Sequence, residues 1–132
     1  MKRITFVLCL AAVACLVAAM AGCGSGARVY TRDQTSITAS VGEQFIIELQ
    51  SNATTGYQWS LAKPLDTAVI KKVGSRYIPP GSSGGTVGAG GVEQWTFQGV
   101  GKGTTTIVMG YSRPFEKGTP PAQTVSFNVT IN

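Results

Sequence analysis

The sequence of 132 residues predicts an all-β sandwich of about seven or eight antiparallel strands. Short runs with apolar residues at every second position recur along the chain, as expected for strands with one buried face. Turn-forming Gly, Pro, Asn and Ser separate these runs at intervals of about ten residues. Between residues 29 and 132, no segment carries the apolar stripe of an amphipathic helix.

The first predicted strands show how the core is filled. Phe45, Ile47 and Leu49 alternate with polar residues, which places all three on one face. Trp59 falls on the inward face of the next strand, a placement typical of immunoglobulin-like sandwiches, but here without their disulfide. These first three strands cover residues 37–40, 44–51 and 57–61.

The remaining predicted strands differ in the regularity of their alternation. A fourth stretch over residues 68–78 would turn Val69, Val73 and Tyr77 inward, although lysine and serine interrupt its pattern. Trp95 and Phe97 share one face of the fifth strand. The last strand has the clearest pattern, because branched and aromatic residues alternate with polar ones throughout. The final three strands cover residues 93–99, 104–111 and 124–131.

The N-terminal segment predicts export. Lys2 and Arg3 precede an apolar run over residues 4–21 that ends in small residues, which is typical of a secretory signal. The sequence Met20-Ala21-Gly22-Cys23 resembles a lipoprotein cleavage box, in which Cys23 becomes the lipidated first residue. Lipidation would attach the domain to a membrane through Cys23.

Two other interpretations of this segment stay open. Met20 stands where the box usually has Leu, and Ala19-Met20-Ala21 also fits an ordinary cleavage site. The apolar run is nearly long enough for an uncleaved helical anchor. We favour a lipoprotein signal over residues 1–22, a tether over 23–28 and one folded domain over 29–132. Under each interpretation the domain is exported, either as an envelope lipoprotein on the periplasmic or extracellular face or as a secreted protein.

Composition excludes several kinds of chemistry. Cys9, Cys15 and Cys23 all lie in the export segment, so the domain has no disulfide, catalytic cysteine or cysteine metal site. The chain has no histidine, which excludes Ser-His-Asp triads and histidine metal sites. We therefore expect no enzyme activity, metal or cofactor.

The charges also limit the choice of partners. The net charge of +5 falls to +3 without Lys2 and Arg3, and the remaining basic residues are scattered. Lys71 and Lys72 are the one adjacent pair, and a solvated strand explains them better than a phosphate-binding surface. We expect no binding to nucleic acid, because a basic stripe is missing. We expect a monomer.

Three polar stretches stand out between the predicted strands. They are Asn52-Ala53-Thr54-Thr55-Gly56-Tyr57, Gly88-Ala89-Gly90-Gly91 and Arg113-Pro114-Phe115-Glu116. They follow the second, fourth and sixth predicted strands. Successive connections in such a sandwich fall at alternate ends, so all three loops are expected at one end of the domain.

These stretches resemble, in order, three motifs of the chagasin-like inhibitors of papain-family cysteine proteases. That family carries Asn-Pro-Thr-Thr-Gly-Tyr/Phe, Gly-x-Gly-Gly and Arg-Pro-Trp loops on an immunoglobulin-like sandwich. The resemblance extends over essentially the whole exported domain. It implies a tight-binding inhibitor that is not cleaved and that inserts a wedge of three loops into the cleft of a papain-family cysteine protease.

The resemblance also implies a role for each loop. The first would lie over the catalytic cysteine of the protease, with Thr54 and Thr55 at its apex. The second would flank it and approach the enzyme backbone, and the third would pack against an aromatic surface. The implied protease-binding residues are Asn52, Thr54, Thr55, Gly56, Tyr57, Gly88, Gly90, Gly91, Arg113, Pro114 and Phe115.

Two residues depart from the family pattern. Ala53 replaces a proline that would restrict the backbone, so the first loop is expected to be less preorganised by about 0.4–1 kcal/mol. Phe115 replaces a tryptophan, which removes contact area and an N–H donor. An alternative function is an envelope-attached immunoglobulin-like module that binds a glycan or a structural protein, with the three loops incidental.

Overall fold

A computed structural model describes residues 26–80 and 90–132 of the chain. The predicted signal peptide over 1–22, the lipidation residue Cys23 and the motif residue Gly88 lie outside these ranges. Eight strands are present in the described parts, and the first begins inside the predicted tether. They are β1 (Arg28–Tyr30), β2 (Ser36–Ala39), β3 (Gln44–Ser51), β4 (Gln58–Leu61), β5 (Ile70–Ile78), β6 (Gly91–Gly99), β7 (Gly103–Ser112) and β8 (Gln123–Ile131).

The strands form the two stacked sheets that the alternation predicts. One sheet has the order β1-β3-β6-β5, and the other has the order β2-β8-β7-β4. Two pairs, β1 with β3 and β2 with β8, are parallel rather than antiparallel as expected. The pairing shows the reason: odd-numbered strands run in one direction and even-numbered strands in the other. Neighbours that are both odd or both even are therefore parallel.

This alternation of direction decides where the connections lie. Every odd-numbered strand ends at the same pole of the sandwich. The connections that follow β3, β5 and β7 consequently emerge together, as the sequence predicts. The connections after β3 and β7 contain the first and third motif stretches, and the second motif ends where Gly91 begins β6.

The core lies between the sheets and is built from the alternating residues. Trp59 and Trp95 are buried, which confirms their inward placement. Phe45 and Phe97 stack across β3 and β6 with ring centroids 5.8 Å apart. Burial of side chains of this size contributes roughly 1.5–3 kcal/mol each as an upper estimate. The largest fully buried side chains are Phe45, Phe97, Phe127, Ile37, Ile47, Leu49, Ile70, Ile107, Met109, Ile131 and Val129.

Strand β5 departs from the predicted pattern. Val69 is buried just before the strand, as expected, but Val73 and Tyr77 are 48% and 38% exposed. The register of β5 against β6 shifts between Lys72 and Gly74, so Val73 sits in a bulge without a partner residue. Because β5 is an edge strand, its inward face is also less covered than that of a central strand.

The predicted solvated position of the two adjacent lysines is confirmed on the same strand. Lys71 and Lys72 are both exposed. The ammonium group of Lys72 lies 4.1 Å from the centroid of the Trp95 ring, where it covers the edge of the core. Over residues 26–80 and 90–132, no helix is long and apolar enough to cross a membrane.

Candidate functional site

The three motif stretches lie at one pole of the sandwich. Residues 52–57 are referred to as loop 1, residues 79–90 as loop 2 and residues 113–122 as loop 3. The Nε of Arg113 in loop 3 donates a hydrogen bond to the carbonyl oxygen of Thr55 in loop 1 at 3.1 Å. A Cβ atom built on Gly90, the last residue of loop 2, would lie 3.1 Å from the carbonyl oxygen of Ser51. The predicted common end is therefore confirmed for the described residues.

Loop 1 is held in shape by its own polar groups. A single 3-10 turn spans Ala53–Thr55, with Asn52 as its N-cap. The Oδ1 of Asn52 accepts hydrogen bonds from the backbone N–H and the hydroxyl of Thr54, at 3.2 and 2.6 Å. The hydroxyl of Thr55 donates to the carbonyl oxygen of Asn52 at 2.7 Å. Both threonine hydroxyls are thus used inside the loop, while their residues stay exposed at its apex.

Gly56 closes the turn in a conformation that favours glycine. Its φ angle of 78° is in the left-handed region, and its N–H donates to the carbonyl oxygen of Ala53 at 3.2 Å. A Cβ atom at this position would also lie 3.2 Å from Cε1 of Phe115. The Phe115 ring therefore rests against Gly56, and loops 1 and 3 share a surface.

Tyr111 on β7 supports loop 1 from beneath. Its hydroxyl accepts a hydrogen bond from the backbone N–H of Asn52 at 2.9 Å. Its ring lies between those of Tyr57 and Trp59, with centroid distances of 5.2 and 5.0 Å. Aromatic contacts of this geometry add to the stabilisation from burial alone. The start and the end of loop 1 are therefore both tied to one residue of the neighbouring strand.

A second set of bonds ties the two sheets together under the same loop. The backbone N–H of Trp59 donates to Oε2 of Glu93 at 3.0 Å, and its indole Nε1 donates to the carbonyl oxygen of Gln50 at 2.8 Å. Glu93 is buried in the opposite sheet. A buried carboxylate that receives a backbone hydrogen bond is less costly than an unpaired one. These bonds hold β4, which follows loop 1, against β3 and β6.

Arg113 makes three contacts within the domain. Besides its bond to Thr55, its Nη1 forms an ion pair with Oε1 of Glu116 at 3.0 Å. Its guanidinium carbon lies 4.5 Å from the centroid of the Tyr57 ring, a cation–π distance. The hydrogen bond to Glu116 is the main cause that raises the pKa of Arg113 above its ordinary value, so the group stays protonated.

The neighbouring residues of loop 3 are more open than Arg113. Phe115 is 71% exposed, the largest exposed fraction among the exposed large hydrophobic residues of the described chain. Pro114 is exposed as well. An aromatic side chain on a hydrogen-bonded turn and open to solvent is suited to contact another protein. Loop 3 thus combines an internally bonded arginine with an exposed aromatic ring.

The glycines of the second motif have different surroundings. Gly91 is buried in β6, and a Cβ atom there would meet the carbonyl oxygen of Ile78 and lie 2.8 Å from the Tyr77 hydroxyl. Packing inside the domain therefore explains why this position is glycine. Gly90 is exposed beside loop 1, so its backbone is accessible to a partner. Gly88 lies outside the described residues.

Comparison with known proteins places the chain in a family. The family model described as chagasin family peptidase inhibitor I42 matches residues 38–131. The chain belongs to the chagasin family of peptidase inhibitors. The match runs from within β2 to the end of β8 and includes all three loops. The protein is accordingly an inhibitor rather than an enzyme.

Individual relatives agree with the family match. Amoebiasin-2 from Entamoeba histolytica is 33% identical over 99 residues, which cover 75% of this chain and 79% of that protein. Chagasin from Trypanosoma cruzi is 34% identical over 83 residues, which cover 61% of this chain and 74% of that protein. The crystal structure of the cysteine protease inhibitor EhICP2 from Entamoeba histolytica matches with a TM-score of 0.65 and 25% identity, over 80% of this chain and 94% of that chain.

Two residues of this chagasin-family site were missed by the sequence reasoning. Tyr111 ends the predicted strand over residues 104–111 and Glu116 ends the third motif stretch, but neither pattern indicates a role in the site. The spacing of Arg113 and Glu116, opposite charges three residues apart, was the signal that could have revealed the ion pair. No comparable signal existed for Tyr111, because its partner Asn52 is 59 residues away. Among the described residues, no group of three or more acidic, cysteine or histidine side chains could hold a metal.

Proposed function

We propose that this chain inhibits papain-like cysteine proteases by inserting loops 1, 2 and 3 into the active-site cleft. The observation that carries the proposal is loop 1 itself, whose apex is exposed while its backbone is held by hydrogen bonds from its own side chains. Membership of a peptidase inhibitor family supports it. The solved relative EhICP2 carries the description of a cysteine protease inhibitor.

The geometry of loop 1 accounts for inhibition without cleavage. A substrate must present an extended peptide so that its carbonyl carbon can meet the nucleophile in the correct orientation. The 3-10 turn at Ala53–Thr55 is not extended, and the bonds from Asn52 and Thr55 oppose its straightening. Loop 1 would fill the cleft above the catalytic cysteine without offering a bond for attack. Its prior order also lowers the entropy lost on binding.

The other two loops would widen the contact. Phe115 and Pro114 present an exposed apolar surface beside Gly56, which suits an aromatic patch at one end of the cleft. Gly90 is exposed beside Ser51 and Asn52, where loop 1 begins, and a residue without a side chain permits close approach of two backbones there. Half-buried Tyr57 adjoins this surface, whereas Gly91 is buried in β6 and would act by allowing the packing beneath it. The contact expected at Gly88 stays a prediction, because Gly88 lies outside the described residues.

Export and lipid attachment are part of the proposal. The charged start, apolar run and Met20-Ala21-Gly22-Cys23 box support processing before Cys23 and an envelope location. Expression of the full chain and of Cys23→Ser, followed by membrane fractionation and mass spectrometry, tests this. Lipidation predicts a membrane-bound, acylated wild type and a released variant, whereas equal release of both would exclude the anchor.

Inhibition is tested with the protein from Gly24 onward, which carries every strand described above. Titration against papain with a fluorogenic peptide substrate is expected to give saturable, reversible inhibition. Mass spectrometry after long incubation should recover an uncut chain, because loop 1 is not a substrate. Absence of inhibition at micromolar concentration against papain and a cathepsin-like protease would contradict the proposal.

Substitution of a bulky residue at the apex of loop 1 tests whether this loop enters the protease cleft or is only a turn between two strands. Thr54→Trp is expected to weaken inhibition on the order of a hundredfold, because the indole would collide with the cleft where loop 1 enters. Its thermal unfolding should stay close to that of the wild type, since Thr54 is exposed. Lys102→Trp, on an exposed turn at the other pole, is the matched control and should inhibit normally. Equal inhibition by both variants would place loop 1 outside the interface.

A further inference from the structure

Glu116 forms an ion pair with Arg113, and Arg113 donates a hydrogen bond to loop 1. The carboxylate Oε1 of Glu116 lies 3.0 Å from Nη1 of Arg113, whose Nε donates to the carbonyl oxygen of Thr55. We propose that Glu116 is a positioning residue of loop 1: its ion pair with Arg113 orders the loop and replaces the rigidity that a proline at position 53 would supply. This inference rests on the proposed function for its effect on inhibition, but not for its effect on loop order.

The backbone of loop 3 brings the two charged side chains together. The N–H of Glu116 donates to the carbonyl oxygen of Arg113 at 3.1 Å, which closes a turn around Pro114 and Phe115. The turn places residues three apart on the same side of the chain. Proline at the second position of such a turn restricts its backbone further. Glu116 can therefore reach Arg113 without ordering any additional segment.

The ion pair determines the direction of the guanidinium. An arginine side chain has several rotatable bonds and five N–H donors, so an unpaired one on the surface samples many orientations. The bond to Glu116 at one end and the Tyr57 ring under its face leave Nε directed at Thr55. These three contacts use the guanidinium group for which the family resemblance implies a contact with the protease. Arg113 thus stabilises the conformation of loop 1.

The carbonyl oxygen of Thr55 is a sensitive point of the loop. A single 3-10 turn leaves its last carbonyl groups without partners inside the turn, and Thr55 is the last residue of that turn. Arg113 supplies a charged donor to this oxygen from a different loop. Asn52 secures the start of the turn, and Arg113 secures its end. Without a proline at position 53, these two anchors carry the order of the loop.

Position 53 is compatible with the residue that the ion pair would replace. Ala53 is the first residue of the turn, where proline is well tolerated, and Asn52 before it has φ −118° and ψ 97°, close to the region preferred before proline. Ala53→Pro should therefore order the loop independently of Glu116. Substitutions at positions 53 and 116 can therefore test whether both residues order loop 1.

The experiment is a double-variant cycle of Glu116→Gln and Ala53→Pro, using the protein from Gly24 onward. Association and dissociation rates with papain are measured for the wild type, both single variants and the double variant. Glu116→Gln alone should weaken inhibition about two- to fivefold, the size of effect expected from losing a proline-scale restriction of a loop. In the Ala53→Pro background, Glu116→Gln should weaken inhibition by less than about half of the factor that it causes in the wild type. Thermal unfolding should rise slightly with Ala53→Pro, and Glu116→Gln should not change it further in either background.

Other outcomes have distinct meanings. An equal loss in both backgrounds would show that Glu116 acts independently of position 53. No loss in either background would show that the ion pair is incidental. Both results overturn the inference. Asp66→Asn is the charge-matched control, because it removes one exposed carboxylate at the opposite pole and keeps the oxygen that accepts from Ala68. Asp66→Asn should leave inhibition unchanged.

A second measurement keeps the inference separate from the proposed function. Backbone amide order parameters of residues 54–56, which keep an N–H in every variant, are measured by NMR on the free proteins. In the wild type, order parameters of about 0.85, as in rigid backbone, are expected. They should decrease clearly in Glu116→Gln and return to the wild-type values when Ala53→Pro is added. If the wild type inhibits no papain-like protease, the proposed function fails while this result still decides the role of Glu116. Unchanged order parameters in Glu116→Gln would overturn the inference whatever the inhibition assay gives.

Discussion

The two poles of the sandwich are held together by different chemical groups. The opposite pole comprises residues 40–43, 66–69 and 99–102, and backbone groups bond one another across it. The N–H of Gly42 donates to the carbonyl oxygen of Gly99 at 2.8 Å, and the N–H of Gly99 donates to that of Glu43 at 3.0 Å. The N–H of Val100 likewise donates to the carbonyl oxygen of Val69 at 2.7 Å. Side chains add bonds there too, as Gln98 Nε2 donates to the carbonyl oxygen of Gly42 at 3.0 Å, but the bonds above need no particular side chain.

At the loop pole, side chains form the hydrogen bonds that join the separate loops. The hydrogen bonds that join loop 1 to β7 and loop 3 come from the Tyr111 hydroxyl and the Arg113 guanidinium. Within loop 1, the side chains of Asn52 and Thr55 shape the turn. The conformation of this pole is therefore encoded by particular residue types. It can lose its shape while the sandwich beneath stays folded.

The difference teaches which measurement should respond to a change at each pole. Substitutions that disturb the opposite pole should lower the free energy of unfolding and leave the inhibition constant of the folded protein unaltered. Substitutions at the loop pole should alter inhibition and change the free energy of unfolding by no more than about 1 kcal/mol. A variant that violates this division would show that the poles are coupled through the sheets.

The largest effect is expected from Gly99→Ala at the opposite pole. A Cβ atom at Gly99 would lie 2.6 Å from the carbonyl oxygen of Ser40, so the backbone must move. We expect a loss of about 1–3 kcal/mol in the free energy of unfolding, measured by urea denaturation. Inhibition, corrected for the folded fraction, should equal that of the wild type.

The control for this variant is Gly74→Ala. It lies in a strand as well, but no atom lies within 4 Å of a Cβ built there. Its free energy of unfolding should stay within about 0.5 kcal/mol of the wild type. Equal destabilisation of both variants would mean that loss of glycine, and not the close contact, is the cause.

An intermediate effect is expected from Phe115→Ala at the loop pole. Removal of the exposed ring should cost about 1–2 kcal/mol of binding free energy, or roughly five- to thirtyfold in the inhibition constant. Because Phe115 is 71% exposed, the free energy of unfolding should hardly change. Val41→Ala, which also truncates an exposed apolar side chain but at the opposite pole, should inhibit as the wild type does. A loss of stability as large as the loss of inhibition would mean that Phe115 belongs to the core of the domain.

The smallest effect is expected from Ala53→Pro. Restriction of the backbone at the first residue of the turn should tighten inhibition and raise the free energy of unfolding by about 0.4–1 kcal/mol each. Stopped-flow association and calorimetric unfolding measure the two quantities. Weaker inhibition would show that the loop must move on entering the cleft, which would break the view of loop 1 as a preformed wedge.

Much of the fold was predictable because period-two alternation reports burial directly. Phe45, Ile47 and Leu49 are buried as the pattern indicates. The pattern misplaced Val73 and Tyr77 because a bulge shifts the phase of β5, and alternation carries no mark of a bulge. The parallel pairs were missed for a related reason: alternation gives the face of a strand but not its neighbour.

The sequence by itself determined the strands, the core residues and the three motifs that associate the chain with peptidase inhibitors. It also indicated that the three motifs lie at one pole. The chain reverses direction at each connection, so the number of strands between two loops decides whether they lie at the same end. The tertiary structure decided which side chains hold the pole together. Asn52 meets Tyr111 and Thr55 meets Arg113 across 59 and 58 residues of chain. Such contacts depend on the packing of the two sheets, and short-range patterns hold no information about it.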